Sequence, residues 1–285
     1  MKKIFLVLSA VVMTAISVSA QDLATATETF NNGAMELQMG NMEAALTNFQ
    51  SALEMAEALG EQGAEIATNC KGAIPQVMFS IAKGLIKDEN YEGALAQLDA
   101  TIAAANKYES ADVAAEAAEF IPQVYMQQGN TALKAKDMAT AVAAYTKVIE
   151  LEPANGNAML RLGQVYAATG KVDEAVAAFE QAAANGQEKT ANKQLSTLFL
   201  KKAQAAVKAK KFQEAVDFAA KSNSYVESAN AYRMAASAYQ QLNNTAECIA
   251  SYEKYLELNP NAKDATGVKY TIAALAQTAG NKEKA

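Results

Sequence analysis

Few residues in this chain could do chemistry. It has 285 residues and no histidine, which excludes Ser-His-Asp triads, Cys-His pairs and imidazole zinc sites. Its two cysteines, Cys70 and Cys248, lack the close spacing of metal ligands, and the chain has no Walker phosphate loop and no Gly-x-Ser-x-Gly elbow. We therefore predict no catalytic residue, no metal site and no cofactor. The repeat pattern described below places the two cysteines too far apart for a disulfide, so we expect both thiols to be free and buried.

The charge balance and the composition exclude some partners and indicate a fold class. Lysine and arginine total 25 against 31 acidic residues, a net charge of -6, which opposes general nucleic-acid binding. The chain is 51% hydrophobic with four prolines and no tryptophan, a composition typical of a globular, helix-rich protein. The absence of tryptophan also counts against a stacking platform for sugars.

The first twenty residues have the pattern of a secretory signal. Two lysines precede the uncharged apolar residues 4–18, and small residues end the segment before Gln21. No cysteine follows the apolar stretch, so a lipid anchor lacks its attachment residue. We predict a cleaved Sec-type signal over residues 1–20 and a periplasmic or secreted protein without stable membrane insertion; a retained N-terminal anchor is the alternative.

Internal repetition is the strongest pattern in the rest of the chain. Residues 163–182 (GQVYAATGKVDEAVAAFEQA) align with residues 129–148 (GNTALKAKDMATAVAAYTKV) at a spacing of 34 residues. This pattern resembles the tetratricopeptide repeat, a helix-turn-helix unit with small residues at its eighth and twentieth positions and an aromatic residue near the twenty-fourth. The resemblance is to the exported bacterial type of this family, because of the predicted signal.

The resemblance implies six repeats, which start near residues 26, 75, 122, 156, 196 and 229. Their eighth and twentieth positions are all small: Gly33, Ala82, Gly129, Gly163, Ala203 and Ala236, then Ala45, Ala94, Ala141, Ala175, Ala215 and Cys248. Repeat five departs from the pattern with Ala219 at the twenty-fourth position. We predict an all-α fold: a right-handed α-solenoid of about six tetratricopeptide-like repeats over residues 21–280, with a capping helix at 262–279 and a polar tail at 281–285.

The turns of the first three repeats support this register. Asn41, Asn90 and Asp137 precede the predicted second helices, where their side chains can accept hydrogen bonds from free backbone amides. We therefore predict that all three cap those helices.

The first two repeats carry extra sequence at residues 61–73 and 109–120. Both segments are alanine-rich and favour helix. They either continue into lengthened helices kinked at Pro75 and Pro122 or form short separate helices that end before each proline.

The resemblance also implies a binding groove, because in this family the first helix of each repeat lines the concave face. Of the 36 inward positions, seven are basic and none is acidic. The predicted ligand-binding residues are Gln76, Phe79, Lys83, Lys87, Gln123, Gln127, Asn130, Lys134, Asn157, Arg161, Gln164, Lys201, Gln204, Lys208 and Arg233. A basic, amide-rich wall favours a protein or extended peptide that is acidic or carboxylate-ended.

These features predict a non-enzymatic protein-binding or peptide-binding scaffold. Two alternatives remain: a solute or glycan capture protein of the cell envelope, and a self-associating structural solenoid. The sequence leaves the oligomeric state open.

Overall fold

The structure of the protein, a computed structural model, describes residues 18–280, with side chains from residue 22 onward. Within these residues the chain forms thirteen α-helices and no strand, which confirms the predicted all-α class. The helices are α1 (Val18–Met39), α2 (Met42–Ala58), α3 (Ala64–Lys87), α4 (Tyr91–Lys107), α5 (Ala111–Lys134), α6 (Met138–Leu151), α7 (Gly156–Ala168), α8 (Val172–Ala182), α9 (Glu188–Lys208), α10 (Phe212–Tyr225), α11 (Ala229–Gln241), α12 (Thr245–Leu258) and α13 (Ala265–Thr278).

The two predicted terminal segments fall almost wholly outside the described residues. Of the predicted signal at residues 1–20, only the last three positions are described, as the start of α1. The predicted tail at 281–285 also lies outside.

The chain divides into two compact units between Thr131 and Ala132, within α5. Unit 1 contains the hairpins α1/α2 and α3/α4 and most of α5. Unit 2 contains the end of α5, α6, the hairpins α7/α8, α9/α10 and α11/α12, and α13.

One turn geometry recurs where each first helix meets its second helix. The fifteenth residue of every predicted repeat has a left-handed backbone, with φ between 58° and 85°. The next residue donates its amide to the carbonyl five residues earlier at 2.9 to 3.0 Å, which is the hydrogen bond of a Schellman ending. The six left-handed residues are Gly40, Glu89, Lys136, Gly170, Lys210 and Asn243.

Two of the three predicted caps form. Asn90 accepts a hydrogen bond from the amide of Gly93 at 3.1 Å, and Asp137 accepts one from the amide three residues later, also at 3.1 Å. The prediction for Asn41 was wrong, because its side-chain amide donates to Glu36 at 2.6 Å and makes no cap hydrogen bond. A nearby carboxylate therefore decides the orientation of this asparagine.

The helix pairs pack through their small residues. All twelve residues at the eighth and twentieth positions are buried. At Gly163 the approach is tight: a Cβ atom there would lie 2.7 Å from ring atoms of Phe179. Because the ring is only 1% exposed, the small residue and the large ring are complementary within one repeat.

The extra sequence of the first two repeats lengthens helices α3 and α5. Each helix is continuous through its proline, Pro75 or Pro122, so neither segment ends in a break before the proline. A short 3-10 helix, Gly60–Gly63, precedes α3. A proline removes one backbone hydrogen bond from the helix. The added turns bury apolar side chains, for example Ile66 and Cys70 in α3 and Ala117 in α5. This burial offsets the lost hydrogen bond.

Both thiols are free and buried, as predicted. Burial raises the pKa of Cys70 to about 12 and also raises the pKa of Cys248. The thiols therefore stay protonated at neutral pH, and protonated thiols are poor nucleophiles.

Candidate binding surface

All fifteen predicted site residues lie on first helices, but in two sets. The boundary between the units passes between Asn130 and Lys134, so seven residues belong to unit 1 and eight to unit 2. The helices carry them as follows: Gln76, Phe79, Lys83 and Lys87 on α3; Gln123, Gln127, Asn130 and Lys134 on α5; Asn157, Arg161 and Gln164 on α7; Lys201, Gln204 and Lys208 on α9; Arg233 on α11.

Fourteen of these side chains are exposed or half-buried, and Phe79 is the exception. Phe79 is 4% exposed. Its ring meets the ring of Phe120 edge-on at 5.1 Å, and the ammonium of Lys83 lies 3.7 Å from its centroid. The prediction that Phe79 lines a groove is therefore corrected: the added turns of α5 place Phe120 against it and make it part of the core of unit 1.

The same added turns bring an acidic residue to Lys83. Glu116 of α5 forms a salt bridge with Lys83 at 3.5 Å. Both side chains are largely exposed, so water screens the pair and it contributes little to stability. Glu116 was missed by the repeat register because it lies in the added sequence, outside the aligned positions.

Unit 2 presents a continuous polar stripe on α9. Lys201, Gln204 and Lys208 are exposed at helical spacing. The stripe extends toward the N-terminus through Thr197 and Lys193, which are also exposed. Lys193 was missed because α9 begins at Glu188, eight residues before the predicted start of repeat five. We call Lys193, Thr197, Lys201, Gln204 and Lys208 the α9 stripe.

The α9 stripe is free of acidic residues. The only acid in α9 is Glu188, in its first turn. Within residues 22–280, none of the three stripe lysines forms a salt bridge. From residue 193 to residue 208 the helix rises about 22 Å, which equals the length of about seven residues of extended peptide.

Two other predicted cations of unit 2 have partners within the protein. Arg161 donates to Gln164 at 3.2 Å. Arg233 forms a salt bridge with Asp264 at 2.9 Å. Asp264 also accepts the hydroxyl of Tyr255, and this hydrogen bond, with the charge of Arg233, lowers the pKa of Asp264. Arg233 thus connects α11 to the residue that precedes α13.

Two features are absent from the part of the chain that the structure describes. In it, no group of three or more Cys, Asp or Glu side chains is placed to hold a metal ion. None of the helices between residues 18 and 280 combines the length and apolar character needed to cross a membrane.

Comparison with known families assigns the repeats. Residues 126–189 and residues 229–262 match models described as tetratricopeptide repeat. These two segments contain tetratricopeptide repeats. The first match covers α6, α7 and α8 together with the adjacent ends of α5 and α9, and the second covers α11 and α12.

Comparison with individual proteins adds little to this assignment. No curated protein matches the chain. A structure described as "Crystal structure of MamA protein" is 20% identical, with a TM-score of 0.38, over 58% of this chain and 86% of that one. Another, "MamA AMB-1 C2221", is 24% identical, with a TM-score of 0.34, over 57% of this chain and 92% of that one.

Proposed function

We propose that this protein is a non-enzymatic scaffold that binds an acidic protein or extended peptide along its first helices. Tetratricopeptide repeats indicate a scaffold for protein interaction, and the acid-free α9 stripe is the observation that carries the finer proposal. Three lysines and one glutamine face solvent on it, and none of the three lysines has a salt-bridge partner among residues 22–280. Ammonium groups attract a polyanionic segment, and the glutamine amide can pair with a peptide backbone.

We also propose that the scaffold acts outside the cytoplasm, in the periplasm or as a secreted protein. The support is the sequence of residues 1–20, with its basic start, apolar middle and small-residue end. The partner is then an envelope or extracellular protein.

The first experiment locates the contact surface in intact cells. A photo-crosslinking amino acid replaces Gln204 in the α9 stripe, and the control carries the same group at Lys263, an exposed residue elsewhere in unit 2. We expect a reproducible protein adduct from position 204 that is absent from position 263. Adducts at equal yield from both positions would contradict binding at the stripe.

The second experiment tests the role of charge with the captured partner. Lys193, Lys201 and Lys208 are replaced together by glutamine, and the control replaces the exposed lysines 136, 263 and 269. Both variants lose the same charge from unit 2. We expect only the stripe variant to slow association and to flatten its dependence on salt, because nearby charges steer the encounter. Equal effects would show that net charge, and not the stripe, governs association.

Self-association is a second candidate, favoured by apolar side chains on the first and last described helices. Met35 and Met39 on α1 are 52% and 58% exposed, and Tyr270 on α13 is 75% exposed. Exposed methionines adapt easily to a facing surface. Sedimentation equilibrium of the purified chain tests this candidate. Self-association is supported if the apparent mass rises with concentration and the double variant Met35→Gln, Met39→Gln abolishes that rise. A monomer at all concentrations would exclude it.

A further inference from the structure

A cleft of about 320 Å³ opens in unit 2 between α8, α9 and α10. Its apolar lining includes Val172 and Val176 from α8, Phe199 from α9 and Phe218 from α10. None of the α9 stripe residues or the other predicted site residues lines it. The volume is at the lower end of the range for small ligand sites.

The aromatic wall of the cleft depends on the irregular fifth repeat. Its twenty-fourth position is Ala219, fully buried, and the aromatic residue is instead the preceding one, Phe218, which is half-buried. Phe218 stacks on Phe199 with centroids 6.3 Å apart, and Phe199 stacks on Tyr225 at 5.9 Å with nearly parallel planes. One shifted aromatic residue thus completes a row of three rings.

Two lysines are held at these rings. The ammonium of Lys202 on α9 lies 4.8 Å from the centroid of Phe218 on α10. The ammonium of Lys221 on α10 lies 5.6 Å from the centroid of Phe199 on α9. Cation–π contacts of this kind restrain a lysine but leave its charge uncompensated. Within residues 22–280, neither lysine forms a salt bridge.

The two carboxylates that line the cleft are Glu180 and Asp173, and within residues 22–280 neither forms a salt bridge with the two lysines. Glu180 accepts the hydroxyl of Tyr225 at 2.7 Å. Burial, together with this hydrogen bond, raises the pKa of Tyr225 to about 12, so the hydroxyl donates throughout the neutral range. Asp173 lies in the first turn of α8, where the helix dipole stabilises a negative charge. The lining thus holds two carboxylates and two ammonium groups, and within residues 22–280 neither ammonium group is paired with a carboxylate.

We propose that this cleft binds a peptide segment in which an apolar side chain is flanked by carboxylates. The apolar side chain would fill the space between Val176 and the rings of Phe199 and Phe218, and the carboxylates would pair with Lys202 and Lys221. This site is additional to the α9 stripe. It would let the scaffold hold two acidic segments, or two parts of one partner.

The test uses methyl NMR of the whole chain with four short probes. The first probe is acetyl-Asp-Leu-Asp-amide, and the others replace both Asp by Asn, both Asp by Lys, or Leu by Gly. The methyl groups of Val176 report on the cleft, and the methyl group of Ala205, exposed on α9 among the stripe residues, reports on the stripe. We expect the first probe to move the Val176 signals and to bind at least about tenfold more tightly than the other three.

Variants of the lysines then assign the charge contribution. Lys202→Gln with Lys221→Gln should weaken the first probe at least about tenfold, whereas Lys263→Gln with Lys269→Gln should change its affinity less than about twofold. Ala177 is exposed at the cleft, so Ala177→Glu should weaken binding and Ala177→Lys should strengthen it without removing any packing.

Several results would overturn the cleft proposal. These are an absence of Val176 shifts, equal binding of the Asp and Asn probes, tighter binding of the Lys probe, or equal effects of the two lysine pairs. Shifts confined to Ala205 would also reject the cleft while leaving the α9 stripe and the proposed scaffold intact.

Discussion

Substitution of Gly163 tests the contact on which the repeat packing depends. A Cβ atom at this position would lie 2.7 Å from the Cδ1 and Cε1 atoms of Phe179, and carbon atoms in ordinary contact are about 3.5 to 4.0 Å apart. The ring would therefore have to move by about 1 Å. Because Phe179 is buried among Met159, Leu195 and their neighbours, such a movement disturbs the core of unit 2.

The magnitude follows from two opposing effects. Replacing glycine by alanine inside a helix gains about 1 kcal/mol of helix propensity, and overpacking a core costs about 1 to 3 kcal/mol. Gly163→Ala should therefore range from neutral to about 2 kcal/mol less stable. Gly163→Leu should be the more destabilising variant, because its further carbon atoms enter the same space.

Urea unfolding followed by circular dichroism measures these changes. The matched control is Gly72→Ala in α3, where a Cβ atom would meet nothing within 4 Å, and it should raise stability by up to about 1 kcal/mol. A double-mutant cycle adds Phe179→Leu, which makes room for the new methyl group. We expect the double variant to be more stable than the sum of the single changes by at least about 0.5 kcal/mol.

Two results would refute this reasoning. One is that Gly163→Ala stabilises the protein as much as Gly72→Ala does. The other is that the cycle with Phe179→Leu is additive. Either would mean that the ring and the helix backbone at residue 163 are not in tight contact.

Three further predictions concern other parts of the chain. Asp264→Asn removes the carboxylate that pairs with Arg233, so it should lower the melting temperature at neutral pH. The pKa of Asp264 is lowered in the folded state. The difference in melting temperature from the wild type should therefore persist above the ordinary aspartate pKa and vanish as pH falls through the lowered value. Asn90→Ala should cost about 1 kcal/mol of stability in urea unfolding and Asn41→Ala less, because Asn90 makes a cap hydrogen bond and Asn41 does not. Intact-mass measurement of the exported protein should show a chain that begins at Gln21, and a full-length cytoplasmic product would contradict the predicted signal.

Local chemistry made most of the repeat architecture predictable. Small residues at the eighth and twentieth positions are needed wherever paired helices approach closely, and the requirement recurs in every repeat, so a register could be set from sequence. In the same register, the fifteenth residue of each repeat has a left-handed backbone in all six turns. This includes Glu89 and Lys136, which are not glycine. The Asn90 and Asp137 caps were predictable because each depends only on residues within one turn of helix.

Contacts for which several partners compete were not predictable in this way, whether the partner is near in sequence or distant. Asn41 donates to Glu36 instead of capping α2, and Phe79 is buried because the added turns of α5 place Phe120 against it. Both outcomes result from competition among several possible partners, which the type of a single residue does not reveal.

The sequence by itself determined the helical class, the hairpin register, the two buried thiols and the basic, amide-rich character of the exposed first-helix positions. The register and the polar first-helix positions follow from residue types at fixed spacing. The helical class follows from composition, and the free thiols follow from the distance that the register puts between Cys70 and Cys248. Only the tertiary structure decided that α9 extends back to Lys193, that Glu116 reaches Lys83, and that a cleft lies between α8 and α10. Those features depend on how irregular segments pack against neighbouring helices. The repeat register could not predict them, because it specifies only the positions that recur in every repeat.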